Sequence, residues 1–499
     1  MSRAAVRCRN WLVEMISLIA ILWVTPTAAI ILILLLNRPR IAEYLNLISA
    51  IIVFGAAVTL LLIAPARSLV LGGGYLVLAP LGNWVELCVA LVYLLASLYA
   101  VGYMRLLRKE QPRLPLFYAL MAGFALTMLV APLMNNPGLY WIVIDLTTIV
   151  SAFLVGFERE PESVEAAWKY IVIVSAGLSL ALLGIVIFYW GGTLHLGPVY
   201  AMTWGNLTAS APMMPKSLLL LAFLLVLVGF GTKVGLAPMH TWLPDAHSEG
   251  PAPVSAMLSA ALLNTAMLGI VRFLGVLQAG GVGLLGRTAL VVLGALSLFL
   301  AAFFIIRQTG AKRLMAYSSV EHMGIVALGF GFGGVLGVAG AMYHMLNHSL
   351  AKSHMFFGSG NMVRAYGSKD MGAMRSILSF YPISGSLWLL GAVAITGAPP
   401  FGLFLSEITI MRGGLQGPNA WAVWLMGLLL ILIFIAFLNH FRAMAFGDEP
   451  ESGAEPTLKL SLWNTLPLGL TLAAVLLLGF WWPSALWRFF ATAAHRGLP

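Results

Sequence analysis

Residues 217–250 read SLLLLAFLLVLVGFGTKVGLAPMHTWLPDAHSEG, and this stretch decides which solvent the fold inhabits. An apolar run long enough for a membrane helix ends on Lys233, and Gly235, Pro238 and Pro244 follow at once. A bilayer crossing needs ~20 apolar residues. Proline removes a backbone donor and clashes with the preceding turn. A spanning helix that breaks in this way must bury its freed carbonyls in protein or line a wet cavity. A lysine beside such a break is partly desolvated, which suits it to release and recapture a proton. The alternative is a lysine that snorkels to the interface. The length of the run before it and the breaks after it favour the buried reading.

The whole chain agrees with a lipid solvent. Of 499 residues, 61% are hydrophobic and only 9% charged, against roughly 25% charged in a soluble domain. Apolar segments recur along the chain, and about fourteen spans use up its length. The predicted fold is an all-α polytopic membrane protein with little room for a soluble domain. The formal charge of +10 is not a nucleic-acid signature, because no basic stretch is interleaved with surface aromatics. Lys and Arg in short loops read better as orientation signals. Roughly sixteen lie on the side of the loops after odd-numbered spans and about ten on the other, so the richer side is expected to be cytoplasmic. Arg3, Arg7 and Arg9 fall on the opposite side and disagree with this. Cys8 and Cys88 are far apart in sequence, without metal-ligand spacing, so no iron–sulfur or structural zinc site is expected. The first apolar run, Trp11 to Leu36, is too long for a signal-peptide core, so secretion is not expected. No phosphate-binding glycine loop opens a helix, which argues against an ATP-driven pump.

A charged group at the bilayer centre costs at least ~2.5–3.5 kcal/mol, so a sequence that keeps several there is using them. WIVIDLTTIVSAFLV (141–155) places Asp145 inside an apolar helix, as a functional carboxylate or a hydrogen-bond anchor. AITGAPPFGLFLSEITIM (394–411) repeats the theme of the opening stretch, with Gly397, Pro399, Pro400 and Gly402 breaking a span ahead of Glu407. Two broken spans five apart suggest two repeated halves, and an odd repeat length would invert the second. AMYHMLNHSLAKSHMFF (341–357) sets His344, His348 and Lys352 at every fourth residue. They form one helical stripe with ~6 Å between steps, and one water bridges such a gap. Histidines at i and i+4 also chelate zinc, but the stripe offers a lysine where a third ligand is needed, so no metal is expected. Glu321 and His322 lie either within a helix or near its cytoplasmic mouth. Glu86 and His440 read as functional or as packing residues.

At this point the chain resembles a known family. GTKVGLAPMHTWLPDAHSEGPAPVSAMLSAALLNTA (231–266), KRLMAYSSVEHMG (312–324), NHSLAKSHMFF (347–357) and PPFGLFLSE (399–407) look like the antiporter-like proton-channel subunits. That family includes the large membrane subunits of respiratory complex I, the Mrp antiporter and the membrane arms of energy-converting hydrogenases. HSEGPAP, SSVEHMG and PPFGLFLSE look closest to the hydrogenase-4 and formate hydrogenlyase type, component F. The resemblance implies fourteen helices with two inverted five-helix repeats, each holding a broken helix. The expected organisation is N-terminal helices at 1–110, half-channels at 111–280 and 281–447, and an acidic loop with a last helix at 448–499.

The resemblance also implies roles. Asp145 matches a fifth-helix carboxylate that pairs with Lys233, His344, His348 and Lys352 match connecting residues, and Glu407 matches an exit residue. Asp145 is one methylene shorter than the usual Glu, so its contact to Lys233 is expected to need a shift or a water, and Asn264 stands where many members carry a lysine. An amide orients water but stores no proton, so the link between the halves is expected to use waters with His240 or His247. The accessory residues are Glu321, His322, Asn264 and Glu86. The implied function is proton translocation in a redox-driven complex, with no cofactor of the chain's own. Its partners would be other membrane and peripheral subunits, in a bacterial or archaeal plasma membrane. An Na⁺/H⁺ antiporter module, a non-conducting scaffold and a CO₂-hydration-coupled channel remain the competing functions.

Overall fold

The computed structural model describes residues 3–64, 68–447 and 458–495, with side chains described from residue 11 onward except those of 108–110. The acidic stretch Asp448–Glu455 lies outside the described residues, as do the side chains of Arg3, Arg7 and Arg9.

Helices account for almost all of the fold, and sequence punctuation sets their ends. Pro39, Pro80, Pro137, Pro161 and Pro382 each open a helix, where a missing N–H costs nothing and the fixed φ suits the first turn. Gly235 and Gly367 close helices in the left-handed region, at φ 79° and 63°. Eleven of the described helices are long and apolar enough to cross a membrane. Two more, Ala311–Phe332 and Gly334–Tyr366, have spanning length but carry buried polar residues along their course. One small departure from an all-α chain appears. Leu69–Leu71 and Leu76–Leu78 pair antiparallel across Gly72–Gly74, three glycines with positive φ that permit the turn.

Both predicted breaks are present. The Lys216–Val234 helix stops at Gly235, and a new helix, Trp242–Glu249, starts beyond Pro238. The freed backbone is satisfied within protein, as a lipid environment demands. The Trp242 indole N–H donates to the Thr232 carbonyl at 2.7 Å, and the Ala237 N–H donates to Ser297 Oγ at 2.9 Å. The second break separates Pro382–Ile395 from Gly402–Leu415, with Gly397 at φ 68° between them.

The Gly334–Tyr366 helix is the axis of the molecule. It is buried along nearly its whole length and packs against the Pro80–Arg105, Ala311–Phe332, Gly402–Leu415 and Leu462–Phe480 helices, among others. Close backbone approach holds the first half together. The Pro161–Leu196 and Lys216–Val234 helices meet at glycines, and a Cβ on Gly229 would lie 2.4 Å from Ala181 N and 2.6 Å from Gly177 O. Small residues at such contacts replace the hydrophobic driving force that lipid does not supply.

Gly229→Leu should therefore lower the thermal stability of the detergent-solubilised protein, at a cost of about 1–3 kcal/mol or more. Gly55→Leu, at an exposed site with nothing near the added Cβ, should leave it unchanged. Equal behaviour of the two variants would contradict the packing described.

Candidate functional site

The site is a line of buried polar side chains running from the first break to the second. Lys233 occupies the last turn before Gly235 and is fully buried. Its ammonium donates to Thr148 Oγ1 and to the Tyr170 hydroxyl, both at 2.7 Å, and lies 4.9 Å from the centre of the Tyr170 ring. Since Tyr170 accepts from Lys233, its own proton is free to go to Ser151 Oγ at 2.8 Å, and Ser151 donates to the Thr147 carbonyl at 2.6 Å. The lysine thus heads a short directional chain of hydroxyls.

No direct contact within 4 Å joins Asp145 to Lys233, so the pairing that the resemblance implied would need a shift or a water, as the shorter side chain led us to expect. The physical reason lies on its own helix. Thr148, one turn on, reaches the ammonium in its place, while Asp145 has a side chain one methylene shorter than Glu and is only half-buried. Its neighbours Ile142, Leu146 and Ile149 face outward, at 53%, 43% and 51% exposure.

Beyond the first break, His247 is completely buried. Its Nδ1 contacts the Leu243 carbonyl at 2.8 Å, and its Nε2 has no partner among the described residues. Its ring packs 5.5 Å from that of Phe356, one turn along from Lys352. His240 is also buried, with its Nδ1 unpartnered and its ring near Tyr317 and Phe304. Asn264 follows a π-helical stretch, Leu258–Leu262, a distortion frequent at functional sites. Its amide donates to Ser349 Oγ and the Ala260 carbonyl, both at 3.1 Å, and its Oδ1 is unpartnered among the described residues. Asn264 therefore ties its helix to the central one.

In the second half, Lys352 donates to the Met315 carbonyl at 3.0 Å. Glu321 lies in mid-helix rather than at a mouth, 1% exposed, and neither carboxylate oxygen has a partner among the described residues. The stripe of His344, His348 and Lys352 shares one helix, but its hydrogen bonds leave that helix sideways. His344 Nε2 meets His322 Nδ1 at 3.0 Å, and His344 Nδ1 meets Ser406 Oγ at 2.9 Å. The His322 ring also lies tilted beside that of His348, with ring centres 5.5 Å apart, and both His348 nitrogens are unpartnered among the described residues. Glu407 ends the line, with one oxygen unpartnered and the other against Gly397, where an added Cβ would fall 2.0 Å away. Glu407 also borders a cavity of about 340 Å³ together with Thr396, Pro399 and Met411.

The sequence argument against a metal, that the stripe lacks a third ligand, does not hold for His344. Folding brings His322 and Glu407 to it, with ligand atoms all within 4.8 Å of one another. These three are the described residues best placed to hold a cation.

Residues 135–435 match the model of the NADH:quinone oxidoreductase/Mrp antiporter transmembrane family. The chain belongs to that family. It is 33% identical over 441 residues to the hydrogenase-4 component F homolog of Methylacidiphilum infernorum (isolate V4), covering 88% of this chain and 91% of the relative. Its fold is similar to that of a chain of the archaeal membrane-bound sulfane sulfur reductase complex, with a TM-score of 0.85 at 20% identity over 96% of this chain and 97% of the other. A chain of the Mrp complex from Dietzia sp. DQ12-45-1b is also similar, with a TM-score of 0.84 at 18% identity over 97% of each chain.

Within this antiporter-family chain, several polar residues went unflagged by sequence reasoning. Thr148, Ser151 and Tyr170 carry no signal in an apolar helix, yet Thr148 and Tyr170 hold Lys233 and Ser151 meets Tyr170. Arg272 was findable, as an arginine inside an apolar span. It is buried, donates to the Pro132 carbonyl at 2.5 Å and the Met134 carbonyl at 3.4 Å, and lies over the Trp204 ring. Glu86 is buried with both oxygens unpartnered among the described residues. His440 and His354 are backbone anchors: His440 Nε2 contacts the Ile305 carbonyl at 2.9 Å, and both His354 nitrogens are hydrogen-bonded.

Tyr170→Phe should destabilise the protein by about 1–3 kcal/mol, because it strips a buried ammonium of an acceptor. Adding Lys233→Met should restore most of that loss, since the unsatisfied charge then disappears. A neutral Tyr170→Phe, measured by thermal unfolding in detergent, would show that this hydroxyl does not hold Lys233.

Proposed function

We propose that this chain is a proton-translocating membrane subunit of a redox-driven respiratory or hydrogenase-type complex. The observation that carries the reading is the line of ionisable side chains from Lys233 through His247, Lys352, His348, His322 and His344 to Glu407, all nearly or fully excluded from the surface. Buried polar atoms are normally satisfied by protein or by ordered water. Along this line His247 Nε2, both His348 nitrogens, His322 Nε2 and one Glu407 oxygen lack a protein partner among the described residues. Groups of this kind, spaced through a membrane core, suit a chain of bridging waters that passes protons.

In this reading Lys233 is the switch. Its proton is held by the Thr148 and Tyr170 hydroxyls, and the charge on Asp145 biases whether it stays. Withdrawal of the carboxylate releases the proton toward His247 and Lys352. Asn264 cannot store a proton, so it orients the link and the histidines carry it. Glu407, beside the second break, exchanges with the far side. The two breaks then serve two half-channels, 111–280 and 281–447, related as inverted repeats within fourteen crossings, preceded by the helices of 1–110 and followed by 448–499.

Asp145 also supports membership of a larger assembly. A half-exposed carboxylate among outward-facing Ile142, Leu146 and Ile149 is costly against lipid tails. A neighbouring membrane subunit covering this face removes that cost and supplies the means to move the charge. The related hydrogenase-4 component F homolog supports a hydrogenase-type complex as the parent. The membrane in question is the plasma membrane of a bacterium or archaeon, with the basic loops on its cytoplasmic side.

Lys233→Ala should reduce proton translocation by the assembled complex in inverted vesicles to background, followed with a pH-sensitive dye, while the subunits still co-purify. Translocation at the unmodified rate would refute the assignment.

A further inference from the structure

A cavity of about 270 Å³ opens on the membrane face that carries the basic loops. Its walls are charged in both signs. The Arg364 guanidinium pairs with Glu158 and donates to the Tyr103 hydroxyl at 3.2 Å, and Lys369 pairs with Glu249 at 2.5 Å. Five helix ends converge here: those of the Pro80–Arg105, Pro137–Val155, Trp242–Glu249 and Gly334–Tyr366 helices, and the start of Ala311–Phe332. At its inner wall stands Lys312, only 5% exposed, in the first turn of its helix. A cation is disfavoured there, because a helix N-terminus carries partial positive charge. A lysine buried at that end is costly twice over, and yet it is held in place by donating to the Gly250 carbonyl.

That carbonyl leads inward. Ser255 Oγ lies 3.2 Å from the Gly250 carbonyl and donates to the His247 carbonyl at 2.8 Å. His247 is thus tied through Ser255 to the carbonyl that Lys312 holds, and its ring packs 5.5 Å from that of Phe356, one turn along from Lys352. Its Nε2 is fully buried and unpartnered among the described residues.

We propose that this cavity is the aqueous mouth of the proton path on the basic-loop face, and that Lys312 is the group exchanging protons between the mouth and His247. The proposal rests on the proton-translocating reading above and adds its point of contact with water on one side. In the transfer, the Lys312 ammonium gives a proton through a bridging water to His247 Nε2 and becomes a neutral amine. It regains a proton from water in the cavity, and the reverse sequence serves flow in the other direction.

The test uses the assembled complex in inverted vesicles with dye-detected proton translocation. Lys312→Arg keeps the charge and the donor to Gly250 but cannot release its proton, whereas Lys312→His retains a group that titrates. The expected result is at least a tenfold loss with arginine and substantial retention with histidine. Unimpaired translocation by Lys312→Arg would overturn the proposal, since a merely structural lysine is replaced well by arginine. Should that variant fail to assemble, Ser248→Cys in the cavity wall decides. A membrane-impermeant charged thiol reagent, added from the basic-loop face, should block its translocation relative to its own rate before addition. Continued translocation after full labelling would overturn the mouth. Lys233→Ala measured alongside separates the two claims, because a loss there with none at Lys312 defeats the mouth and leaves the wider reading standing.

Discussion

The ammonium of Lys233, held among apolar helices away from bulk water, sets the terms for the rest of the structure. A buried charge must be given hydrogen-bond partners or it destabilises the fold. Thr148 and Tyr170 provide them from two different helices. The break at Gly235 ends the helix just past the lysine, and its freed carbonyl is taken by Trp242. That tryptophan in turn packs against Tyr170 at a tilt, with ring centres 4.7 Å apart. Solving the lysine's hydrogen bonding and solving the broken backbone are therefore one packing problem. The close glycine contacts of the neighbouring helices let these groups reach each other.

The second half answers the same constraint differently. Its lysine, Lys352, finds a backbone carbonyl, and both Glu321 oxygens and one of Glu407 are left without protein partners among the described residues. Histidines take the place of hydroxyls, and they alternate between two helices rather than following one. The His322–His344 and His344–Ser406 contacts join the Ala311–Phe332, Gly334–Tyr366 and Gly402–Leu415 helices beside Glu407. Asn264 and Ser349 clamp the first half to this central helix. The line thus combines side chains anchored on backbone carbonyls with side chains that have no protein partner among the described residues, an arrangement that suits the proposed passage of protons.

Much of this was legible in the chain because membrane insertion penalises both charge and broken helices. Lys233, Glu407 and the two Gly/Pro clusters stand out against apolar neighbours, and their placement follows from local sequence. What the sequence did not show is mostly pairing at long range. The hydroxyls of Thr148 and Tyr170 look ordinary in a helix, and only the fold brings them to the lysine. The His344–His348–Lys352 spacing suggested a wire along one helix, yet His322 from another helix provides the nearest link. The Asp145–Lys233 pairing was expected to need a shift or a water, and no direct contact joins the two because Thr148 on the same helix reaches the ammonium. Lys312 was hidden because it sits at a helix start, where a basic residue reads as part of a loop.

The central claim is that these side chains border a continuous hydrated seam at mid-membrane depth. A density map of the intact complex, at a resolution that shows ordered water, tests it most directly. The account predicts waters bridging Lys233, His247, Lys352, His348 and Glu407 without a dry gap longer than one hydrogen-bonded step. A dry, tightly packed interval between Lys233 and Lys352, or Glu407 turned toward lipid, would contradict it.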